Sequence, residues 1–99
     1  MTFGTLSVTK NIGTNLTQLL ASRADRVSLI ISSDATPAAN GSMFVYNDVA
    51  GLVILLRLNA GQMINMPYRD YGPCMQMGIW CSFSLANANV TAVETWKNP

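Results

Sequence analysis

Chemistry in this chain would have to proceed without histidine, for there is none among its 99 residues. That removes the commonest general base, the commonest zinc ligand and every Ser-His or Cys-His nucleophile pair. The carboxylates are Asp25, Asp34, Asp48, Asp70 and Glu94, and nothing in their spacing suggests an acid–base pair. Gly41, Gly51, Gly61, Gly72 and Gly78 are isolated and form no G-x-G phosphate loop. Cys74 and Cys81 lack the spacing of a C-x-x-C redox or zinc pair. Met43, Met63, Met66, Met75 and Met77 fall in apolar runs and read as core filling rather than metal ligands. The expectation is a non-enzymatic protein with no catalytic residue, no cofactor and no metal.

What remains is contact chemistry. Arg69 stands between Tyr68 and Tyr71 in the proline-bounded run Pro67-Tyr68-Arg69-Asp70-Tyr71-Gly72-Pro73. Tyrosine and arginine are favoured anchors of protein interfaces, and aromatics around a cation also suit a stacking ligand. Trp80 falls on the polar side of an alternating run and reads as an outward contact or a sugar platform. Trp96, close to the C-terminus, and Phe3, close to the N-terminus, complete the candidate interface residues.

The elements that must position these residues are strands. Period-two alternation recurs in short runs broken by Gly, Asn, Asp and Pro. It predicts strands over residues 4–9, 26–32, 43–46, 52–58, 62–66, 75–85 and 90–96, with 16–21 as a strand or a short helical turn capped by Asn15. The run over 75–85 is the clearest, with Met75, Met77, Ile79, Cys81, Phe83 and Leu85 on one face. Cys81 is therefore expected as a buried thiol, and Cys74 lies on the other parity. In the segment 26–32, Val27, Leu29 and Ile31 share a side. Asn59-Ala60-Gly61 is a turn signal and suggests a hairpin between the strands around it. Glu94 shares its parity with Val90, Ala92 and Trp96: if those three face inward it does too, with a partner such as Arg26 or Arg57, and the alternative is a frayed, solvated strand end. Seven or eight short strands in 99 residues predict an all-β fold, a small antiparallel β-sandwich of jelly-roll type. Residues 1–99 read as one domain, and residues 1–10 admit a second reading as an N-terminal arm anchored by Phe3.

Composition narrows the partners. Six basic and five acidic residues leave a net charge of +1, so there is no basic field for nucleic acid. The longest unbroken apolar run, Leu52-Val53-Ile54-Leu55-Leu56, is far short of the ~20 residues of a membrane helix. The first residues show neither a positive n-region nor an apolar h-region, so the expectation is synthesis in a cytoplasm without a secretory signal. Charged residues are 11% of the chain, against roughly 25% in an average soluble protein. The polar positions hold Asn, Ser, Thr and Gln instead. A charge-poor surface suits large, permanent contacts with copies of itself or with another protein.

The order of features also carries a resemblance. Thr17-Gln18-Leu19-Leu20 precedes Arg26-Val27-Ser28-Leu29-Ile30-Ile31, then Met43-Phe44-Val45-Tyr46, the turn Leu58-Asn59-Ala60-Gly61-Gln62, Gly78-Ile79-Trp80-Cys81 and Val90-Thr91-Ala92-Val93-Glu94. This order resembles the small all-β virion proteins of tailed bacteriophages, of the capsid decoration, cement or head-fibre type. Ala60 stands where those proteins usually have proline, and the segment 48–58 is longer and more apolar. The resemblance implies a virion protein made in a bacterial host, a homo-oligomer with trimer favoured over dimer, and the major capsid protein or other virion proteins as partners. It also implies the alternative of a tail or fibre component that binds the host surface or a glycan.

Overall fold

The alternating runs become eight strands in a computed structural model that describes residues 2–47 and 54–97. They are β1 (Phe3–Ile12), β2 (Thr17–Leu20), β3 (Arg26–Ser33), β4 (Ser42–Tyr46), β5 (Ile54–Asn59), β6 (Ile64–Pro67), β7 (Ile79–Phe83) and β8 (Ala88–Lys97). One sheet has the order β1-β8-β3-β6 and the other β2-β7-β4-β5. β1 pairs with β8, β2 with β7, β3 with β6 and β4 with β5, all antiparallel. The chain is thus one long antiparallel ribbon rolled up on itself. Pairing of β3 with β8 and of β4 with β7 closes it into two four-stranded sheets. This is the jelly-roll arrangement that the sequence pattern predicts.

The core lies between the sheets. Leu29, Ile31, Met66, Val90 and Ala92 from the first sheet meet Met43, Val45, Ile79, Cys81 and Phe83 from the second, all essentially without exposure. Burying side chains of this size contributes about 1.5–3 kcal/mol each, so these two inner faces drive the closure.

Three local readings change. The strand expected over 75–85 is only Ile79–Phe83, and Gly72–Gln76 is a 3₁₀ turn opened by Pro73. Met75 still points inward, but Met77 and Leu85 are exposed, and so is Met63. The proline-bounded run is not an open loop: Tyr68–Tyr71 forms a single helical turn, α2. The residues around Asn59-Ala60-Gly61 do not form a hairpin, because β5 and β6 belong to different sheets. Ala60 is buried, its N–H donates to the Gly41 carbonyl at 3.0 Å, and Gly61 sits against the carbonyl of Ala35 with φ +91°. The turn therefore packs on the 34–41 segment and hands the chain across the core. That segment holds a further helical turn, α2's counterpart α1 (Pro37–Asn40), capped by the Thr36 side chain. The segment 16–21 resolves as β2 over Thr17–Leu20, and Asp48, Gly51, Leu52 and Val53 lie outside the described residues.

Candidate functional site

Parity in β3 breaks at its first residues. The register against β8 shifts between Arg26 and Ser28, so Arg26 turns inward with Leu29 and Ile31 while Val27 is half-buried. Arg26 has no exposed surface. Its Nε and Nη2 donate to Glu94 Oε2 at 3.1 and 2.8 Å, Nη1 to the carbonyls of Met75 and Met77 at 2.8 and 3.1 Å, and Nη2 also to the carbonyl of Ala21 at 2.7 Å. These five bonds match the five N–H donors of a guanidinium. Glu94 is inward as its parity predicts, with Arg26 as its partner. Arg57 is not: it is exposed and lies over the Phe44 ring at 5.4 Å. Arg23, from the β2–β3 connection, takes the other carboxylate oxygen, Nε to Oε1 at 2.7 Å, and its guanidinium stacks on Trp96 at 3.9 Å.

Both oxygens of Glu94 are therefore held in ion pairs with guanidiniums, a structural arrangement that ties β8, β3 and the 3₁₀ turn together. Arg26 also explains the shortened β7, because it takes the carbonyls of Met75 and Met77 that a longer ladder would use. Beside this cluster lies a cavity of about 350 Å³ lined by Leu6, Val8, Leu19 and Leu20, with Arg23 and Glu94. It opens where β1 overhangs β2 at one side of the sandwich.

The six candidate contact residues do not converge. Phe3 is exposed at the start of β1, opposite Lys97. Trp96 is half-buried on the inner side, against Gly4 and under Arg23. Trp80 is on the outer side of the second sheet, as expected, half-buried with its ring over Gly78. It is opposite Tyr46 in the β4 register, and Phe44 follows on the same face with its ring 6.5 Å from that of Tyr46. Tyr68 and Arg69 are exposed on α2, while Tyr71 packs against the core. The grouping of Arg69 between two tyrosines is thus broken, with one tyrosine facing in.

The register exposes a surface that no single motif signals. The outer face of the first sheet carries Phe3, Thr5, Ser7, Thr9 and Asn11 from β1, and Asn89, Thr91, Val93, Thr95 and Lys97 from β8. Ser28, Ile30 and Ser32 of β3 and Asn65 and Pro67 of β6 continue it. Among the described strand residues of this face, Lys97 at one margin is the one charge, and Asp34, just past β3, lies beside Asn89 at the other. Thr9 and Thr91 hydroxyls bond at 2.9 Å, and Asn11 Nδ2 donates to Asn89 Oδ1 at 3.2 Å. The face is broad, polar and nearly uncharged.

Both cysteines are free, Cys74 exposed and Cys81 buried. Burial pushes the Cys81 thiol up to about 12, so it is protonated at neutral pH and behaves as a small hydrophobe. No group of three or more His, Cys, Asp or Glu side chains that could hold a metal ion occurs among the described residues. No described helix is long and apolar enough to cross a membrane.

No family model matches the chain, and no curated protein matches it in sequence. In structure it is similar to a chain from work on Bacillus endospore appendages that form a novel family of disulfide-linked pili. The TM-score is 0.52 at 5% identity, over 99% of this chain and 88% of that one. At that identity the likeness is one of fold: an all-β sandwich shared with a protein of a bacterial appendage rather than of a phage.

Proposed function

We propose that this chain is a non-enzymatic structural protein that works by packing against other protein subunits, and specifically that it decorates and stabilises an assembled bacteriophage head. The observation that carries this reading is the nearly uncharged outer face of the β1-β8-β3-β6 sheet. Interface centres are depleted in charge, whereas a face kept permanently in water is normally well supplied with it. The fold's likeness to a protein of an assembled pilus supports the packing role in general and not the phage head in particular. Binding to the finished shell and not to its parts would stabilise the shell by mass action. The partners are then the major capsid protein or other virion proteins together with copies of this chain, and neither nucleic acid nor a membrane is required.

The test is cosedimentation with assembled phage heads, with the heads' thermal stability measured alongside. Binding together with a raised disruption temperature is expected. Ile30→Lys, which puts a charge in the middle of the face, should abolish both. Heads that neither bind the protein nor gain stability would refute the capsid reading.

A second reading, a fibre component that binds a host surface or glycan, draws on Trp80, Tyr46 and Phe44 sharing one outer face and on exposed Tyr68 and Arg69. Binding to host envelope extracts that is lost in Trp80→Ala, without any binding to heads, would favour it.

A further inference from the structure

We infer that β1 is a docking edge for a second copy of this chain, the two β1 strands pairing antiparallel about a two-fold axis centred on Ser7. β1 and β6 are the edges of one sheet, and β2 and β5 those of the other. β6 has four residues and ends in Pro67. β2 has four residues and a register shift, and β5 carries exposed Arg57. Short length, proline, irregularity and charge are the devices that keep an edge from pairing. β1 has none of the first three: it runs for ten residues and contains no proline, and its pairing with β8 is unbroken. Its one charge, Lys10, is bonded through Nζ to the carbonyl of Gln18 at 3.0 Å, which draws the ammonium in toward β2.

The occupant follows from length and register. A second copy offers an edge of equal length, and among the described strands of the sheet edges only β1 has ten residues. Strand pairing keeps inward residues opposite inward ones. With Ser7 opposite its own copy, Leu6 faces Val8 of the second copy, Thr5 faces Thr9, and Phe3 faces Asn11. Apolar meets apolar and threonine meets threonine, the pairs that stabilise antiparallel ladders. Lys10 faces Gly4, which separates the two lysines by about 20 Å along the strands. Leu6 points to the inner side yet is 46% exposed over the cavity it lines with Val8, Leu19 and Leu20. The second copy's Val8 and Leu6 would cover that opening. The two nearly uncharged outer faces would then join into one eight-stranded surface. The inference stands apart from the capsid reading, because a protein that binds no head would still dimerise through β1.

Light scattering of the purified full chain, at two concentrations, should give a dimer. Ser7→Lys places like charges directly opposite each other at an exposed position. It should raise the dimer's dissociation constant by roughly tenfold or more while leaving the circular dichroism spectrum unchanged. In a Cys74→Ser background, Ser7→Cys should give a disulfide-linked dimer on mild oxidation. Thr9→Cys should not, since its thiols would be offset by about 13 Å. A monomer or a trimer, a dimer unaffected by Ser7→Lys, or equal cross-linking at both positions would overturn the proposal.

Discussion

Arg26 and Glu94 are 68 residues apart in the chain and meet inside the sandwich, Nη2 to Oε2 at 2.8 Å, with the arginine wholly buried. A buried pair of this kind is not a large net source of stability, because both charges have left water. Breaking it by removing Arg26 is a different matter, since Glu94 is left buried with only the partly exposed Arg23 as partner, and the carbonyls of Ala21, Met75 and Met77 lose their donor. Arg26→Met should therefore destabilise the fold by about 3–5 kcal/mol, a large share of the ~5–15 kcal/mol total of a typical domain. Arg23 has a third of its side chain exposed, and Arg23→Ala should cost only about 1 kcal/mol. Urea denaturation of the two variants checks the difference. Equal losses would mean that Arg26 is not the centre of the cluster.

The two thiols should behave as opposites. A thiol reagent at pH 8 should label exposed Cys74 in the folded protein and reach buried Cys81 only on unfolding. Burial raises the Cys81 thiol from 9.0 to about 12. The folded state therefore keeps its proton at a pH where the unfolded state has lost it. The associated stability is complete below pH 9 and declines as pH rises toward 12, by about 1.4 kcal/mol per unit. Cys81→Ala lowers stability at neutral pH by leaving a cavity, but it should flatten that alkaline slope. Identical slopes in the two proteins would show that the thiol is accessible to water.

Gly61 and Gly72 both have positive φ, +91° and +61°, yet alanine should be tolerated very differently at the two. A Cβ on Gly61 would meet the Ala35 carbonyl oxygen at 2.7 Å, whereas one on Gly72 would meet nothing within 4 Å. Gly72→Ala should then cost about 1–3 kcal/mol, the strain of a backbone conformation (φ +61°, ψ −149°) that is essentially glycine's alone. Gly61→Ala should cost clearly more, because the turn that carries the chain between the sheets must move off the 34–41 segment. Thermal unfolding of both variants is the measurement.

Legibility in the sequence followed the physics of burial. β3, β4 and β8 have one wet and one dry face, so alternation reveals them, and it also places Glu94 inward. The same period misleads at Met75 and Met77. Met75 is inward whether the backbone is strand or 3₁₀ turn, and the choice is made by Arg26 taking two carbonyls from a distant strand. Asn59-Ala60-Gly61 announces a reversal, but which sheet receives the next strand depends on Ala60 docking against Gly41. Arg23 gave no signal, as its partners Glu94 and Trp96 are more than 70 positions away. Composition shows that charge is scarce. Only the register shows where the few charges fall: among the described strand residues, Lys97 on the outer face of the first sheet and Arg57 on that of the second.

Tyr68 and Tyr71 stand three positions apart on a single helical turn, and their substitution should separate binding from folding. Tyr68 is 43% exposed and Arg69 more so, whereas Tyr71 packs against the core. Tyr68→Ala with Arg69→Ala should change stability by no more than about 0.5 kcal/mol, as for other surface changes. Tyr71→Ala removes a ring from the packed side and should destabilise by about 2 kcal/mol or more. If α2 takes part in docking, the double variant loses partner binding at unchanged melting temperature, a result that Tyr71→Ala cannot deliver cleanly. Full binding by Tyr68→Ala with Arg69→Ala would remove α2 from the interface and leave the nearly uncharged sheet face to carry it alone.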